Sequence, residues 1–287
     1  MERIKDLADG SGALVALVSV PIGNDGDISE RAKEVLAKAD IVCCEDTRTT
    51  GALLSRLGIR ARKLISLYSQ IEGVKAKEIV AAIRGTDTLL AYCSDAGTPG
   101  ISDPGALLAK EAIDAGIRVT AIPGASAVLS ALVISGLDTA DFVFYGFLST
   151  KREAREKQLE EMASQKATMV FYEAPSRVLD TLRDMFKAFG DRHFALLREL
   201  TKEHEEAIRG TLGEYGYLAP ESIKGECVIV VDGFKGDKDK DRKEVTRLYG
   251  LYKENGISPS LAAKLISKQL NLKKNEVYGF IKDIEKD

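Results

Sequence analysis

The chain has 287 residues, 45% hydrophobic and 30% charged, with a formal net charge of −3. That length holds two domains with cores of their own, and the balance is that of a globular protein rather than a disordered or fibrous one. No apolar run approaches bilayer length and the opening MERIKDLADGSG lacks a signal peptide's apolar segment, so no membrane partner and a cytoplasmic location are expected.

The first half alternates short β-branched runs with helical patterns. ALVALVSV precedes DISERAKEVLAKA, where Ala32, Val35, Leu36 and Ala39 recur at helical spacing. DIVCCED then precedes TTGALLSRLG, EIVAAIRG precedes TLLAYCSD, and ALLAKEAIDAG precedes RVTAIPG. This alternation predicts a mostly parallel sheet covered on both faces by helices. Three unusual loops, PIGNDGD, SDAGTPGISDPG and PGAS, fall at strand carboxyl ends, where open α/β sheets bind ligands. The four cysteines, Cys43, Cys44, Cys93 and Cys227, sit in apolar runs without disulfide or metal-ligand spacing. They are expected to be small buried hydrophobes, and no metal site is expected.

STKREAREKQLEEMASQK, Ser149 to Lys166, reads as a charged, exposed helix, either joining two lobes or simply solvated. A second α/β stretch follows: ATMVFYEAP, a helix from about Ser176 to Phe189, FALLREL, EEAIRGTL and GECVIVVDGF. Its shorter, alternating strands predict a mixed sheet. KGDKDKDRKE reads as a hydrophilic linker. Beyond it three short helices are predicted, with Gly256 and Ser258-Pro259 as punctuation and Val277, Ile281 and Ile284 on one face of the last. From Lys235 onward 13 basic and 9 acidic residues give +4, leaving −7 for the rest. A surplus that small does not by itself establish a nucleic-acid partner. The expected organisation is therefore an N-terminal extension (1–12), an α/β lobe with a mostly parallel sheet (13–148), a second α/β lobe with a mixed sheet (149–234), and a linker with a helical tail (235–287).

The loop Ser94 to Gly105 is the strongest local signal. A phosphate-binding loop would need amides at a helix N-terminus and usually a lysine. This loop has no lysine or arginine and carries two carboxylates, Asp95 and Asp103, so it favours a neutral or cationic ligand whose hydroxyls donate to carboxylates. S-adenosylmethionine, with a ribose diol and a sulfonium, has those properties. A tight loop in which Asp and Ser cap the following helix accounts for the same residues.

In chain order, SVPIGNDGDIS, CCEDTRTTGALL, SDAGTPGISDPG, IPGASAVLSAL, VFYEAPSR, LRELTKEHEE, RGTL and KGECVIVV resemble the bacterial cytidine 2′-O-methyltransferases of small-subunit ribosomal RNA. That family belongs to the tetrapyrrole-methylase-like superfamily. The resemblance spans roughly Leu14 to Asp232, and the tail resembles the helix-turn-helix appendage of many members. It implies two α/β lobes holding S-adenosylmethionine in the cleft between them, usually in a homodimer. The implied acceptor is a cytidine ribose near the decoding centre of 16S ribosomal RNA, in the assembled small subunit. By motif position, cofactor contacts are implied at Pro21, Cys93, Ser94, Asp95, Ile101, Ser126 and Ala127, and in the second lobe at Glu173, Ala174, Leu200 and Cys227. Asp25, Ser176 and Cys227 depart from the family pattern, where an apolar residue, a histidine and a larger hydrophobe are usual.

A ribose 2′-hydroxyl is a weak nucleophile and benefits from a base or from a cation near the developing alkoxide. EDTRTT offers Glu45 and Asp46 as bases and Arg48 as a phosphate or alkoxide partner, and Asp46 and Arg48 are taken to face the RNA. The alternative is that Glu45-Asp46-Thr47 caps the next helix. Arg198, Glu199 and Glu173 are either site groups or buried ion pairs. His193 and His204 lack partners for a triad and receive no role. Lys273, Lys274, Asn275, Tyr278 and Lys282 would either meet RNA or solvate a helical cap.

Two other functions compete. A methyltransferase of the same superfamily acting on a tetrapyrrole or another small acceptor would carry a glycine-aspartate-proline signature that is missing here. A metabolite-sensing nucleic-acid-binding regulator would bind duplex DNA without turnover.

Overall fold

A computed structural model describes residues 12–236, 238–270 and 272–285, apart from the side chains of 238–240. The chain forms two compact units, Met1–Gly233 and Phe234–Asp287. The extension expected over residues 1–12 lies, except for Gly12, outside the described residues.

In the first unit β1 (Leu14–Val18), β2 (Ile41–Cys44), β3 (Leu64–Ser66), β4 (Leu89–Cys93) and β5 (Arg118–Ile122) form a sheet in the order β3-β2-β4-β1-β5. All four pairings are parallel. Parallel neighbours require crossovers, supplied by α1 (Glu30–Lys38), α2 (Thr47–Arg56), α3 (Ser69–Ile83) and α4 (Ala106–Asp114). Ala32, Leu36, Leu53 and Leu54 of α1 and α2 cover one face, while Ala76, Ile79, Leu108 and Ala112 of α3 and α4 cover the other. Burial on both faces is why β2 and β4 read as unbroken apolar runs, and all four cysteines are buried and free.

The chain leaves β1 for one face and its neighbour β4 for the other, and that divergence opens a crevice beyond their carboxyl ends. PIGNDGD and SDAGTPGISDPG therefore lie side by side, tied by paired backbone hydrogen bonds between Val20 and Gly97.

The second sheet comprises β6 (Phe142–Phe147), β7 (Thr168–Glu173), β8 (His193–Arg198), β9 (Glu206–Thr211) and β10 (Cys227–Val231), in the order β6-β7-β10-β8-β9. β6 and β7 are parallel, and the other three pairings are antiparallel. The joint between the sheets is α5 (Ala127–Ser135), which follows β5 in sequence. Its Val128, Ala131 and Leu132 are buried with Val170, Ala195, Leu197, Val228 and Val230 of the second sheet. α7 (Val178–Phe189) covers the opposite face with Val178, Leu182 and Met185.

Two expectations shift. The charged run after Ser149 forms α6 (Arg152–Met162), which does not join the lobes but is the crossover between β6 and β7, so the second sheet begins at Phe142 rather than after residue 148. α6 looks wholly solvated in sequence because it buries only Leu159 and Arg155, the latter neutralised by the equally buried Asp184 at 2.7 Å.

The second unit is α8 (Lys238–Glu254), α9 (Pro259–Leu270) and α10 (Lys274–Ile284), packed around Val245, Tyr249, Ala262, Ile266, Val277 and Ile281. Most of the stretch read as a linker is the first turns of α8. The Lys, Arg and Glu of these turns are good helix formers, and the Asp residues fall in the first turn, where the helix dipole favours negative charge.

Candidate functional site

The site grows from the end of β4. Ser94 is buried and donates its hydroxyl to the Ala96 carbonyl at 3.0 Å, turning the chain out of the sheet. The loop ends at Gly105, whose φ is 120° and where a Cβ would stand 2.8 Å from Cε1 of the buried Tyr92, so the position requires glycine. Oε1 of Glu72, on α3, accepts the backbone N–H groups of Gly105, Leu107 and Leu108 at 2.7, 3.1 and 3.2 Å. This buried carboxylate holds the start of α4 and satisfies donors that no local side chain caps. Sequence reasoning missed Glu72. The available signal was a glutamate in register with Ala76, Ile79 and Ile83 on the apolar face of α3.

Between this loop and the second sheet lies a cleft of about 390 Å³. Gly97, Thr98, Ile101 and Asp103 form one wall, Ser126 and Ala127 at the head of α5 another, and Phe147, Tyr172, Ala174 and Cys227 face them. The Ser126 hydroxyl accepts the Leu129 N–H, which caps α5. Three lining residues are acidic (Asp103, Glu173 and Glu226) and none is cationic. Burial, followed by the charge of Asp95, raises the Asp103 carboxyl above its ordinary value against the hydrogen bond from Ser94, and burial first raises the Tyr172 phenol to about 12. The Glu173 carboxylate is fully engaged by Arg177, by Thr181 Oγ1 at 2.6 Å and by the Ala174 N–H at 2.8 Å.

A second cleft, of about 280 Å³, adjoins the first and shares Ile22, Ala96 and Glu226 with it. Its other walls include Pro21, Gly23, Thr49, Asp95, Arg56 and Lys202. Asp25, one of the departures noted in the sequence, also lines it and pairs with Arg56 at 2.6 Å.

The expected cofactor residues therefore divide. Ile101, Ser126, Ala127, Glu173, Ala174 and Cys227 line the first cleft, and Pro21 and Asp95 line the second. Cys93, Ser94 and Leu200 are buried and line neither.

Asp46 and Arg48 line neither cleft. Asp46 is the N-cap of α2, accepting the Arg48 N–H at 2.8 Å, and its carboxylate pairs with the Arg48 guanidinium at 2.6 Å. The Arg48 side chain holds the Asp46 carboxyl down to about 2, which leaves it little affinity for a proton. Neighbouring Glu45 is shifted the other way, raised by burial and then by Asp103 and Asp95. Of the two carboxylates named from the sequence, Glu45 is the stronger base. Arg198 pairs with Glu206, and Glu199 with Lys202. Among the described residues no group of His, Cys, Asp and Glu has a metal-holding arrangement, and no helix is long and apolar enough to cross a membrane.

Comparison with known proteins follows the same lines. Residues 14–216 match the family model of the Tetrapyrrole (Corrin/Porphyrin) Methylases. The chain is 41% identical over 278 residues to ribosomal RNA small subunit methyltransferase I of Streptococcus pyogenes serotype M18, covering 96% of each protein. It is 41% identical over 270 residues to the protein of the same name from Xylella fastidiosa, covering 92% of this chain and 97% of the relative. It shares its fold with uroporphyrin-III C-methyl transferase from Thermus thermophilus complexed with S-adenyl homocysteine, with a TM-score of 0.54 and 15% identity over 77% of this chain and 97% of that one.

Proposed function

The chain belongs to the tetrapyrrole (corrin/porphyrin) methylase family, among the ribosomal RNA small subunit methyltransferases I, and from that membership we propose that it methylates the ribose 2′-oxygen of a cytidine in small-subunit ribosomal RNA. In this reading S-adenosylmethionine occupies the first cleft, and the acceptor is a nucleotide of the assembled small subunit presented to a homodimer in the cytoplasm.

The observation that carries the reading is the charge of the first cleft. Its lining has no cation and three carboxylates, of which Glu173 is paired with Arg177 and Glu226 with Lys202, beside an apolar wall of Ile101, Phe147 and Val228. A phosphate-bearing cofactor would meet no cation there, whereas a sulfonium and a hydroxyl-donating ribose have Asp103 as a partner. Bound there, S-adenosylmethionine supplies a methyl group on a cationic sulfur.

The protein's own groups then have distinct tasks. Gly97 and Thr98 let the loop backbone approach the ligand, while Asp103 accepts hydroxyls or faces positive charge. The head of α5, capped by Ser126, fixes Ala127 at the wall, and Tyr172, Ala174 and Cys227 close the opposite side. Because methyl transfer is an in-line displacement, most of the acceleration comes from holding the two partners in register. Of the EDTRTT carboxylates, Glu45 has the higher proton affinity and is the better base for the 2′-hydroxyl proton, although like Asp46 it lines neither cleft.

The test is to incubate the protein with small ribosomal subunits from a strain lacking the modification and with methyl-labelled S-adenosylmethionine, and to map the label. Label on one cytidine ribose is expected. No label on RNA while S-adenosylhomocysteine still binds would redirect the search to small acceptors, and saturable duplex DNA binding without turnover would favour a regulator.

A further inference from the structure

We propose that the second cleft seats the acceptor nucleotide and that the ammonium of Lys202 binds it there, a deepening of the methyltransferase reading that rests on it. Donor and acceptor of a displacement must meet with their reacting atoms about 3–3.5 Å apart. The acceptor must therefore come from a space continuous with the donor cleft, and the second cleft shares three wall residues with the first.

The two spaces differ in their cations. The first has none in its lining, whereas the second has Arg56 and Lys202 beside the carboxylates of Asp25, Asp95 and Glu226. A nucleotide within an RNA strand brings a phosphate on either side, and cations are what meet it. Arg56 is held against Asp25 by hydrogen bonds of 2.6 and 3.0 Å. The Lys202 ammonium donates to Glu199 at 2.9 Å and Glu226 at 2.8 Å. An ammonium has three donors, so one is left for a ligand oxygen.

The backbone is strained where it places Lys202. Glu199 and Thr201, with φ of 51° and 66°, are two of the three non-glycine residues with positive φ among the described residues. Thr201 Oγ1 is also buried without a hydrogen-bond partner. Strain of this kind persists where the surroundings enforce a particular placement. Here the placement crosses from one lobe to the other: a Cβ at Gly23, in the loop after β1, would stand 2.4 Å from Lys202 Cγ. The absent side chain at Gly23 lets the lysine stem from the turn between β8 and β9 lie across the first lobe's loop.

The experiment compares K202M, which keeps an apolar stem over Gly23 but removes the ammonium, with wild type and K202R. kcat and KM are measured on undermethylated small ribosomal subunits, and S-adenosylhomocysteine affinity by calorimetry. K202M is expected to lower kcat/KM at least about tenfold with cofactor affinity within about twofold, and K202R to recover part of the loss. An unchanged kcat/KM overturns the proposal, as does an equal loss of cofactor affinity, which would assign Lys202 to the first cleft. If wild type itself binds S-adenosylhomocysteine but labels no RNA, the RNA-methylation reading falls and takes this one with it. If K202M does not fold, R56Q decides from a more exposed position on α2: kcat/KM reduced about fivefold at constant cofactor affinity supports the assignment, and no change overturns it.

Discussion

Oε1 of Glu72 accepts the backbone N–H of Gly105 at 2.7 Å, joining α3 to the last residue of the glycine loop. The same oxygen takes the N–H groups of Leu107 and Leu108, so one buried carboxylate replaces the missing N-cap of α4 from outside the helix. Glu72→Ala leaves these donors unpartnered, which costs about 1–3 kcal/mol. A lower Tm and weaker S-adenosylhomocysteine binding are expected, with Glu72→Gln recovering much of both because its amide oxygen still accepts. A Glu72→Ala protein that melts like wild type would show that the anchor contributes nothing.

Gly105 makes a sharper prediction. A methyl group there would press on Tyr92 in a backbone conformation that non-glycine residues avoid, and each effect is destabilising. Gly105→Ala should cost on the order of 2 kcal/mol in chemical denaturation. Gly116→Ala is the control: it too has positive φ, but a Cβ there meets nothing within 4 Å, so it should cost less. Equal losses for the two would mean that the Tyr92 contact relaxes freely.

The pattern of legibility follows from burial. β2 and β4 were readable because a parallel strand covered on both faces is apolar along its whole length. β3, with three residues and none fully buried, and β6, which leaves Phe142 and Phe147 exposed and breaks register at Gly146, left no such trace. The diagnostic loop was legible because its glycines and its lack of cations are local properties. Glu72, which anchors that loop, and Lys202, which lies over Gly23, were not, because they reach their places through tertiary structure: one from a neighbouring helix, the other across the boundary between two sheets. Of the cofactor contacts that the family resemblance implies, Ser126 and Cys227 line the first cleft, whereas Cys93 and Leu200, implied on the same grounds, are buried and line neither cleft, a difference that motif position does not carry.

Asp46 allows its two roles to be separated. It caps α2 and pairs with Arg48, and either arrangement would draw attention to EDTRTT in sequence. Serine caps as well as aspartate but carries no carboxylate. If capping is its whole contribution, Asp46→Ser should retain kcat while Asp46→Ala loses stability. If kcat falls in both variants with Tm preserved in Asp46→Ser, the carboxylate acts on the reaction. Glu45→Gln should lower kcat more than Asp46→Ser does, since Asp46, held down to about 2, is the weaker base.

Asp103 links the cleft to pH. Its carboxyl is raised above the ordinary 3.8 by burial first and by Asp95 second, so the folded protein holds the proton more tightly than the unfolded chain. The stability this proton contributes is complete below about 3.8 and is lost as pH rises through the raised value. Asp103→Asn, which cannot ionise, should therefore gain Tm over wild type at neutral pH, and the gain should close as pH falls toward 4. Ligand affinity should run in the opposite direction. A sulfonium and a ribose diol favour the ionised carboxylate, so S-adenosylmethionine affinity of the wild type should rise with pH over the same window, with proton release on binding. The affinity of Asp103→Asn should be lower and flat. Calorimetry in two buffers of different ionisation enthalpy reads that proton directly. Opposite slopes of stability and affinity distinguish a carboxylate that faces the ligand from one that is merely buried. An Asn variant that tracks the wild-type affinity at every pH would remove Asp103 from the cofactor site.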